Sequence, residues 1–243
     1  MEKVRLSKLM SQRGLCSRRE ADRYIADGLV RVDGEVVDTL GTRVDPRSEI
    51  SLERRARDDS RAKVTILLNK PVGFVSGSPE RGYRPAVSLI SAASHYSGDH
   101  SPTRFSRAHL KGLAPAGRLD IDSQGLLVLT QDGRIAKQLI GPDSRLEKEY
   151  LVRVSGPLDE ARLERLRFGI ELDGRPLRRA GVKQLNEQQL QIILTEGRKR
   201  QIRRMCAEVG LQVTGLKRVR IGRVRLAGLP EGRWRYLAPG ERF

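Results

Sequence analysis

Pro115-Ala-Gly-Arg-Leu-Asp-Ile-Asp-Ser-Gln-Gly-Leu-Leu-Val-Leu-Thr130 is the stretch on which the fold turns. Gly117 and Gly125 permit backbone angles closed to other residues, Arg118 brings a cation near, and Leu126 to Leu129 form an apolar run suited to a sheet interior. Asp120 is therefore expected in a tight turn at the head of a buried strand. An Asp in a turn commonly bonds its own backbone two residues on, and Asp122-Ser123 has the same option. Whether Asp120 serves support or chemistry is decided by the rest of the chain.

Outward from this turn, Val64-Thr-Ile-Leu-Leu-Asn69 has a buried-strand pattern, ended by Lys70-Pro-Val-Gly73 because Pro71 cannot donate a ladder hydrogen bond. Ser76 to Leu113 is rich in Gly, Pro, Ser, His and Arg with little periodicity, a length of loop that is functional or mobile when it occurs. Downstream, Arg134 to Ile140 reads as a short helix and Lys148 to Val154 as a strand. Pro157-Leu-Asp opens a helix through about Leu166. Val182–Leu185 and Leu190–Thr195 flank a turn at Asn186-Glu187 as an antiparallel pair. Glu196 to Cys206 turns into a helix that Gly210 ends, and Val213 to Leu226 supplies more strand. The expected class is α+β, with a mixed, mainly antiparallel domain over 64–243.

Upstream lies a smaller module over 1–52. Leu6, Leu9 and Met10 mark a helical face ending near Gly14, Ser17-Arg-Arg-Glu20 is a capping box, and Gly28 ends the second helix. Leu29 to Val32, the turn Asp33-Gly34 and Glu35 to Val37 make a hairpin, since Asp-Gly supplies the positive φ of a primed turn. Glu53 to Lys63 is charge-dense without hydrophobic period and reads as a linker.

Composition narrows the partners. A net charge of +17 and a pI near 10.7 point to a polyanion, because Lys and Arg that neutralise phosphates release counterions. Residues 1–52 hold ten Lys+Arg and nine Asp+Glu, whereas 196–243 hold thirteen and four, so the basic face belongs mostly to the C-terminal region. Apolar residues are interleaved there, so it folds. With 4% aromatics, nonspecific stacking on single strands is not the main mode. No apolar run is long enough to span a bilayer, and the N-terminus shows no signal region, so cytoplasmic residence and no membrane partner are expected. Cys16 and Cys206 have neither disulfide-framework nor metal-ligand spacing. His95, His100 and His109 fall in one loop and are expected to be solvated. No metal and no cofactor are expected.

Two resemblances sharpen this. The helix-helix-hairpin order, with Cys16-Ser-Arg-Arg-Glu-Ala21 and Val30-Arg-Val-Asp-Gly34, resembles the S4 RNA-binding domain, whose helix face would present Arg18, Arg19 and Arg23 to phosphates. The pattern G-R-L-D-x-D-S-x-G-L-L resembles the signature of the RNA pseudouridine synthases of the RsuA type, as do Leu-x-Asn69-Lys-Pro-x-Gly73, Lys148-Glu-Tyr150, Gly197-Arg-Lys-Arg-Gln-Ile-Arg-Arg-Met205 and Leu216-Lys-Arg-Val-Arg-Ile-Gly222. The resemblance implies Asp120 as the catalytic nucleophile, Tyr150 as the residue stacking on the target base, Arg203 as the cation paired with Asp120, and Arg118 and Ile221 as further pocket residues. Arg198, Arg200 and Arg204 are implied as RNA contacts. Against the family pattern, Ser91 to Ala108 is an insertion. Cys206, Val219-Arg-Ile221 and Gly232-Arg-Trp-Arg235 are closest to the RluF branch. That branch implies 23S ribosomal RNA of the large subunit as partner, with transfer RNA as a further candidate, for a monomer.

The implied chemistry fits these residue types. Making pseudouridine breaks the N1 to C1′ bond of uridine, rotates the uracil and joins C5 to C1′, with no redox step or group donor. A carboxylate suffices, whether it attacks C1′, attacks C6 or removes the C2′ proton. It must stay ionised in a water-poor pocket, which a paired guanidinium favours by about 1.4 kcal/mol per unit of pKa. Turning the uridine out costs a few kcal/mol, which stacking on Tyr150, worth roughly 1 to 3 kcal/mol, and phosphate contacts offset. Two other classes compete. A non-catalytic S4-type or ribosome-associated RNA-binding factor leaves the Asp120, Tyr150 and Arg203 set without a reason. A glycosidase pair of Asp120 and Asp122 sits in one turn with few sugar-binding aromatics.

Overall fold

The computed structural model describes residues 2–61, 63–77 and 82–243. At the N-terminus, helices α1 (Leu6–Gln12) and α2 (Arg18–Ala26) pack together. The capping box forms as read: Ser17 Oγ accepts from the Glu20 amide, and Glu20 Oε2 accepts from the Ser17 amide at 2.8 Å. Strands Val30–Val32 and Glu35–Val36 pair around Asp33 and Gly34, whose φ angles of 51° and 90° make the primed turn. Ile50–Leu52 flanks the other side of Val30–Val32. Leu6, Met10, Tyr24, Ile25 and Val30 fill a separate core.

The segment 53–63 departs from expectation, since most of it is a helix, α3 (Arg54–Arg61). Ala56 is fully buried in the N-terminal core, and Glu53 pairs with Arg31 at 2.7 Å. One alanine buried among charged residues leaves no period for a sequence to show.

The larger part is built on one sheet, in the order Gly181–Asn186, Gln189–Leu194, Lys148–Ser155, Gln212–Ile221, Gln124–Thr130, Thr65–Lys70, Trp234–Tyr236. Along this order every pairing is antiparallel except that of Gln124–Thr130 with Gln212–Ile221. Gln124–Thr130 is buried on both faces. Leu127 and Leu129 enter the main core with Leu163 and Leu166 of α5 (Glu160–Arg167) and with Ile202, Met205 and Cys206 of α6 (Gln201–Glu208). Leu126 and Val128 enter a second core with Leu139 of α4 (Gly133–Ile140). A continuous apolar run is what such a two-sided strand requires.

The segment Ser91 to Ala108, expected to be an insertion, is ordered. His95 stacks on Trp234 with ring centroids 4.3 Å apart and meets Asp99 at 2.7 Å through Nε2, while His109 Nδ1 lies 2.7 Å from the Tyr236 hydroxyl. The Trp234 indole donates to the Ser91 carbonyl, and Tyr96 N donates to the Trp234 carbonyl. The segment is thus a strap along the edge strand Trp234–Tyr236, closing a row of backbone groups otherwise open to pairing. His95 and His109 are structural ties rather than solvated side chains.

The two parts touch where α2 begins. Lys63 pairs with Glu20, Lys137 Nζ donates to the Ser11 carbonyl at 3.1 Å, and Gly133 lies directly against the Ser17 side chain. Among the described residues no helix is long and apolar enough to cross a membrane.

Candidate active site

The turn that carries Asp120 is pinned through its backbone. Ser76 Oγ both donates to the Leu119 carbonyl at 2.7 Å and accepts from the Leu119 amide at 2.9 Å, and the Gly73 amide donates to the Ile121 carbonyl at 2.8 Å. The Ser123 amide closes the turn onto the Asp120 carbonyl at 3.0 Å. From the sheet below, Arg218 Nε donates to the Leu126 carbonyl and Nη1 to the Arg118 carbonyl. From α6, Arg203 Nη2 donates to the Asp122 carbonyl at 2.8 Å and Nη1 to the Val213 carbonyl at 3.0 Å. Its neighbours therefore fix the position of Asp120 while leaving its carboxylate alone: among the described residues no hydrogen bond or ion pair engages it, and it is half-buried.

Asp122 is the opposite case. Arg200 engages both of its oxygens, at 3.2 and 2.9 Å, and Arg203 Nε approaches at 3.3 Å. Burial pushes its carboxyl up, but the Arg200 hydrogen bonds and the Arg203 and Arg200 charges outweigh that and hold it below the ordinary carboxylate range. The pairing of Arg203 with Asp120, implied by the motif, is thus corrected: the guanidinium reaches the same turn and grips the carboxylate two residues on.

Beneath the turn, Tyr150, Arg218, Gly125 and Lys70 align across four neighbouring strands, each facing the next in register. Gly125, at φ 106°, is obligatory here. A Cβ would lie 2.7 Å from the Arg218 nitrogen and closer still to its carbonyl oxygen. Lys70 is fully buried, with Nζ donating to the Pro71 carbonyl at 2.8 Å and the Phe74 carbonyl at 2.9 Å. Burial and the Arg218 charge also push the Lys148 ammonium below its ordinary value. Lys70 and Arg200 both feel the charge of the open Asp120 carboxylate. Arg218 Nη2 and Arg203 Nε are buried without a hydrogen-bond partner among the described residues.

The remaining expected site residues divide. Tyr150 lies in the row but is only 9% exposed and packs into the main core. Arg118 is exposed beside Asp120. Ile221 is not brought to Asp120: it is buried in the second core with Val224, Leu226 and Leu229. Arg198 and Arg204 are engaged within the protein. Arg198 donates to the carbonyls of Leu172, Arg175 and Pro176, and Arg204 holds both oxygens of Asp173. Arg18 and Arg19 are exposed on α2, and the Arg23 guanidinium lies over the Tyr24 ring. Ser76 went unread because a lone serine in an aperiodic loop carries no signal. Lys70 and Arg218 stood in quoted motifs without roles, and only the strand register brings them under the turn.

Comparison with known proteins shows what the whole chain is similar to. The chain is 37% identical over 240 residues to the dual-specificity RNA pseudouridine synthase RluF of Escherichia coli strain K12, spanning 98% of this chain and 77% of that one. It is 36% identical over 251 residues to an uncharacterized RNA pseudouridine synthase of Aquifex aeolicus, spanning 99% and 93%. A crystal structure of a pseudouridylate synthase superposes with a TM-score of 0.65 at 29% identity, covering 97% of this chain and 96% of that one. The S4 domain profile matches residues 4–50 and the RNA pseudouridylate synthase profile residues 64–208. This chain therefore belongs to the RNA pseudouridine synthase family, as an enzyme with an S4 domain at its N-terminal end.

Proposed function

We propose that the chain isomerises uridine to pseudouridine in 23S ribosomal RNA of the large subunit, with Asp120 as the reacting carboxylate. One observation carries the assignment of Asp120. In a turn with two carboxylates, Asp122 has its oxygens filled by Arg200 and Arg203, while Asp120 is held by its backbone and left open. An open, immobilised carboxylate among buried cations can meet a reacting atom without breaking a bond of its own. Tyr150 supplies the ring for the displaced base, and the exposed Arg18 and Arg19 supply phosphate contacts on α2. The resemblance to the RluF branch supports 23S RNA. Transfer RNA is the second substrate to assay, because the Escherichia coli relative is named as dual-specificity.

Asp120→Asn is expected to lower pseudouridine formation on the order of 10⁴-fold while leaving RNA affinity within a few fold. Pseudouridine mapping of 23S transcripts and of total transfer RNA, beside a binding titration, checks this. Near-normal turnover by the variant would overturn the assignment of Asp120, and turnover confined to transfer RNA would overturn the substrate. Arg18→Glu with Arg19→Glu should instead weaken RNA binding with unchanged single-turnover rate at saturation.

A further inference from the structure

We propose that the strap is a second RNA-binding element of the enzyme, in which Arg104, Arg107 and Lys111 take phosphates of the RNA helix flanking the target uridine. The inference rests on RNA being the substrate and goes beyond the choice of 23S RNA. Over 91–113 the only carboxylate is Asp99, and holding the segment in place uses it fully. Its Oδ2 meets His95 Nε2 at 2.7 Å and accepts from the Tyr236 amide at 2.9 Å, and its Oδ1 accepts from the Ser101 amide at 2.8 Å. The Asp99 side chain is 3% exposed. The three cations are the converse. Arg104, Arg107 and Lys111 are exposed, and among the described residues no hydrogen bond or ion pair engages their side chains.

The spacing of the segment separates anchors from cations. Phe105, Leu110 and Leu113 pack against the main core, and His109 reaches Tyr236. Arg104, Arg107 and Lys111, three and four positions apart, fall between these anchors and stay outside. Ser106 caps the short 3-10 helix Arg107–Leu110, and Gln131 Nε2 donates to the Ala108, His109 and Lys111 carbonyls at 3.4, 3.2 and 2.8 Å. The backbone beneath the cations is therefore fixed before RNA arrives, so less ordering opposes binding than in a free basic tail. Covering the edge strand Trp234–Tyr236 takes the backbone and ring contacts, and gives no reason for three outward cations.

Gln131 also locates the strap. It follows the strand Gln124–Thr130 and lies two residues before Gly133, which abuts the Ser17 side chain at the start of α2. Arg18 and Arg19 come next on α2 and are exposed. The acids along this seam are paired, Asp132 with Arg134 and Glu20 with Lys63. Exposed cations from both parts of the chain thus border a seam whose acids are neutralised, a surface that suits a polyanion. Asp120 stands beyond the other end of the same strand, whose seven residues span roughly 20 Å. The strap therefore meets RNA away from the reacting base.

Two measurements on the full chain test this. The first titrates a hairpin RNA with a stem of about 16 base pairs by fluorescence anisotropy at several salt concentrations. Arg104→Gln, Arg107→Gln and Lys111→Gln together should weaken binding about tenfold to a hundredfold at physiological salt. The plot of log affinity against log salt should become shallower by about two to three, since each phosphate contact on a duplex contributes about 0.9. An unchanged slope would overturn the proposal. So would a variant that keeps its RNA affinity and loses affinity for poly-L-glutamate, because the cations would then face an acidic protein surface. The second measurement leaves all three cations in place. Ala108→Cys, at an exposed position between Arg107 and Lys111, carries a tethered hydroxyl-radical source, the native Cys16 and Cys206 being buried. The bound hairpin should be cut, and an uncut hairpin at saturating protein would overturn the proposal. On 23S transcripts the cuts should fall on the helix flanking the modified uridine, and cuts at that uridine itself would overturn the placement. If the wild type modifies no uridine in 23S RNA, that substrate reading fails, while the hairpin measurements still decide the strap.

Discussion

The strand Gln124–Thr130 has an Asp beside an Arg at each end, and the two ends are built for different ends. At the tail, Asp132 caps α4 by accepting from the Arg134 amide at 2.9 Å and takes the Arg134 side chain on both oxygens. Its own amide donates to Thr130 Oγ1, which in turn meets Thr65 Oγ1 at 2.7 Å. At the head, Asp120 keeps its carboxylate open while backbone bonds hold its place. A carboxylate that supports the fold has its acceptors filled. One that reacts is fixed from behind and left bare in front.

The largest effect should come from exchanging that bareness for neutrality. Asp120→Asn, which abolishes turnover under the assignment above, should leave Tm within a degree or two, because no folded-state bond to the carboxylate is lost. A fall of several degrees in a thermal melt would show that Asp120 supports the fold and would break the contrast. Next in size is Gly125→Ala, at the head of the same strand. The added methyl meets the backbone of Arg218 rather than a movable side chain, at a φ of 106°. Urea unfolding should show a loss on the order of 3 kcal/mol or more.

The head turn was legible in the sequence because its information is local: two glycines, an apolar run and a motif fix a turn before a buried strand. The capping box at Ser17 and the Asp33-Gly34 turn were legible for the same reason. What escaped depends on residues far apart in the chain. Arg203 was rightly drawn to this turn, yet which of two carboxylates two residues apart it grips depends on how α6 lies against the sheet. The strap over residues 91–108 is ordered by Trp234 and Tyr236, more than a hundred residues on, in a strand of only three residues. Ile221 was assigned to the pocket by its motif, but the core it packs into is assembled from Leu126, Leu139 and Leu229, which that motif does not contain.

A smaller effect belongs to the tail. Asp132→Ala removes a helix cap and a partly buried ion pair, and should cost about 2 kcal/mol at neutral pH. Burial pushes the Asp132 carboxyl up, but the Arg134 hydrogen bonds and the Arg134 and Lys63 charges outweigh it and leave the pKa below the ordinary 3.8. A carboxyl lowered on folding stabilises above its unfolded value and loses that contribution as pH falls through its folded one. The gap between wild type and Asp132→Ala, measured by urea unfolding, should therefore be full above about pH 4 and shrink below it. Single-turnover rates at a permissive temperature should not change. A rate loss would mean that the two ends are coupled.

The smallest effect uses the thiols that the fold places near each end. Cys16 lies near the tail, its thiol pushed up to about 11 by burial, with Lys63 and Arg134 opposing and Asp132 adding. Cys206, on α6 behind the head, is pushed up to about 12 by burial against the Arg203 charge. At pH 8 the reactive thiolate is at most about a thousandth of either, so iodoacetamide should label the native protein slowly at both. Asp132→Ala should speed Cys16 labelling by roughly tenfold or more, as the tail opens locally, and leave Cys206 unchanged. Losing the Asp132 charge also lowers the Cys16 pKa, so the rate is compared with that of Asp132→Asn, which removes the same charge and keeps a side chain able to cap the helix. Arg203→Ala, which frees the Asp122 carbonyl at the head, should do the converse and expose Cys206 first. Equal acceleration at both cysteines in either variant would mean that the strand opens as one unit, and that its two carboxylate ends are not independent designs.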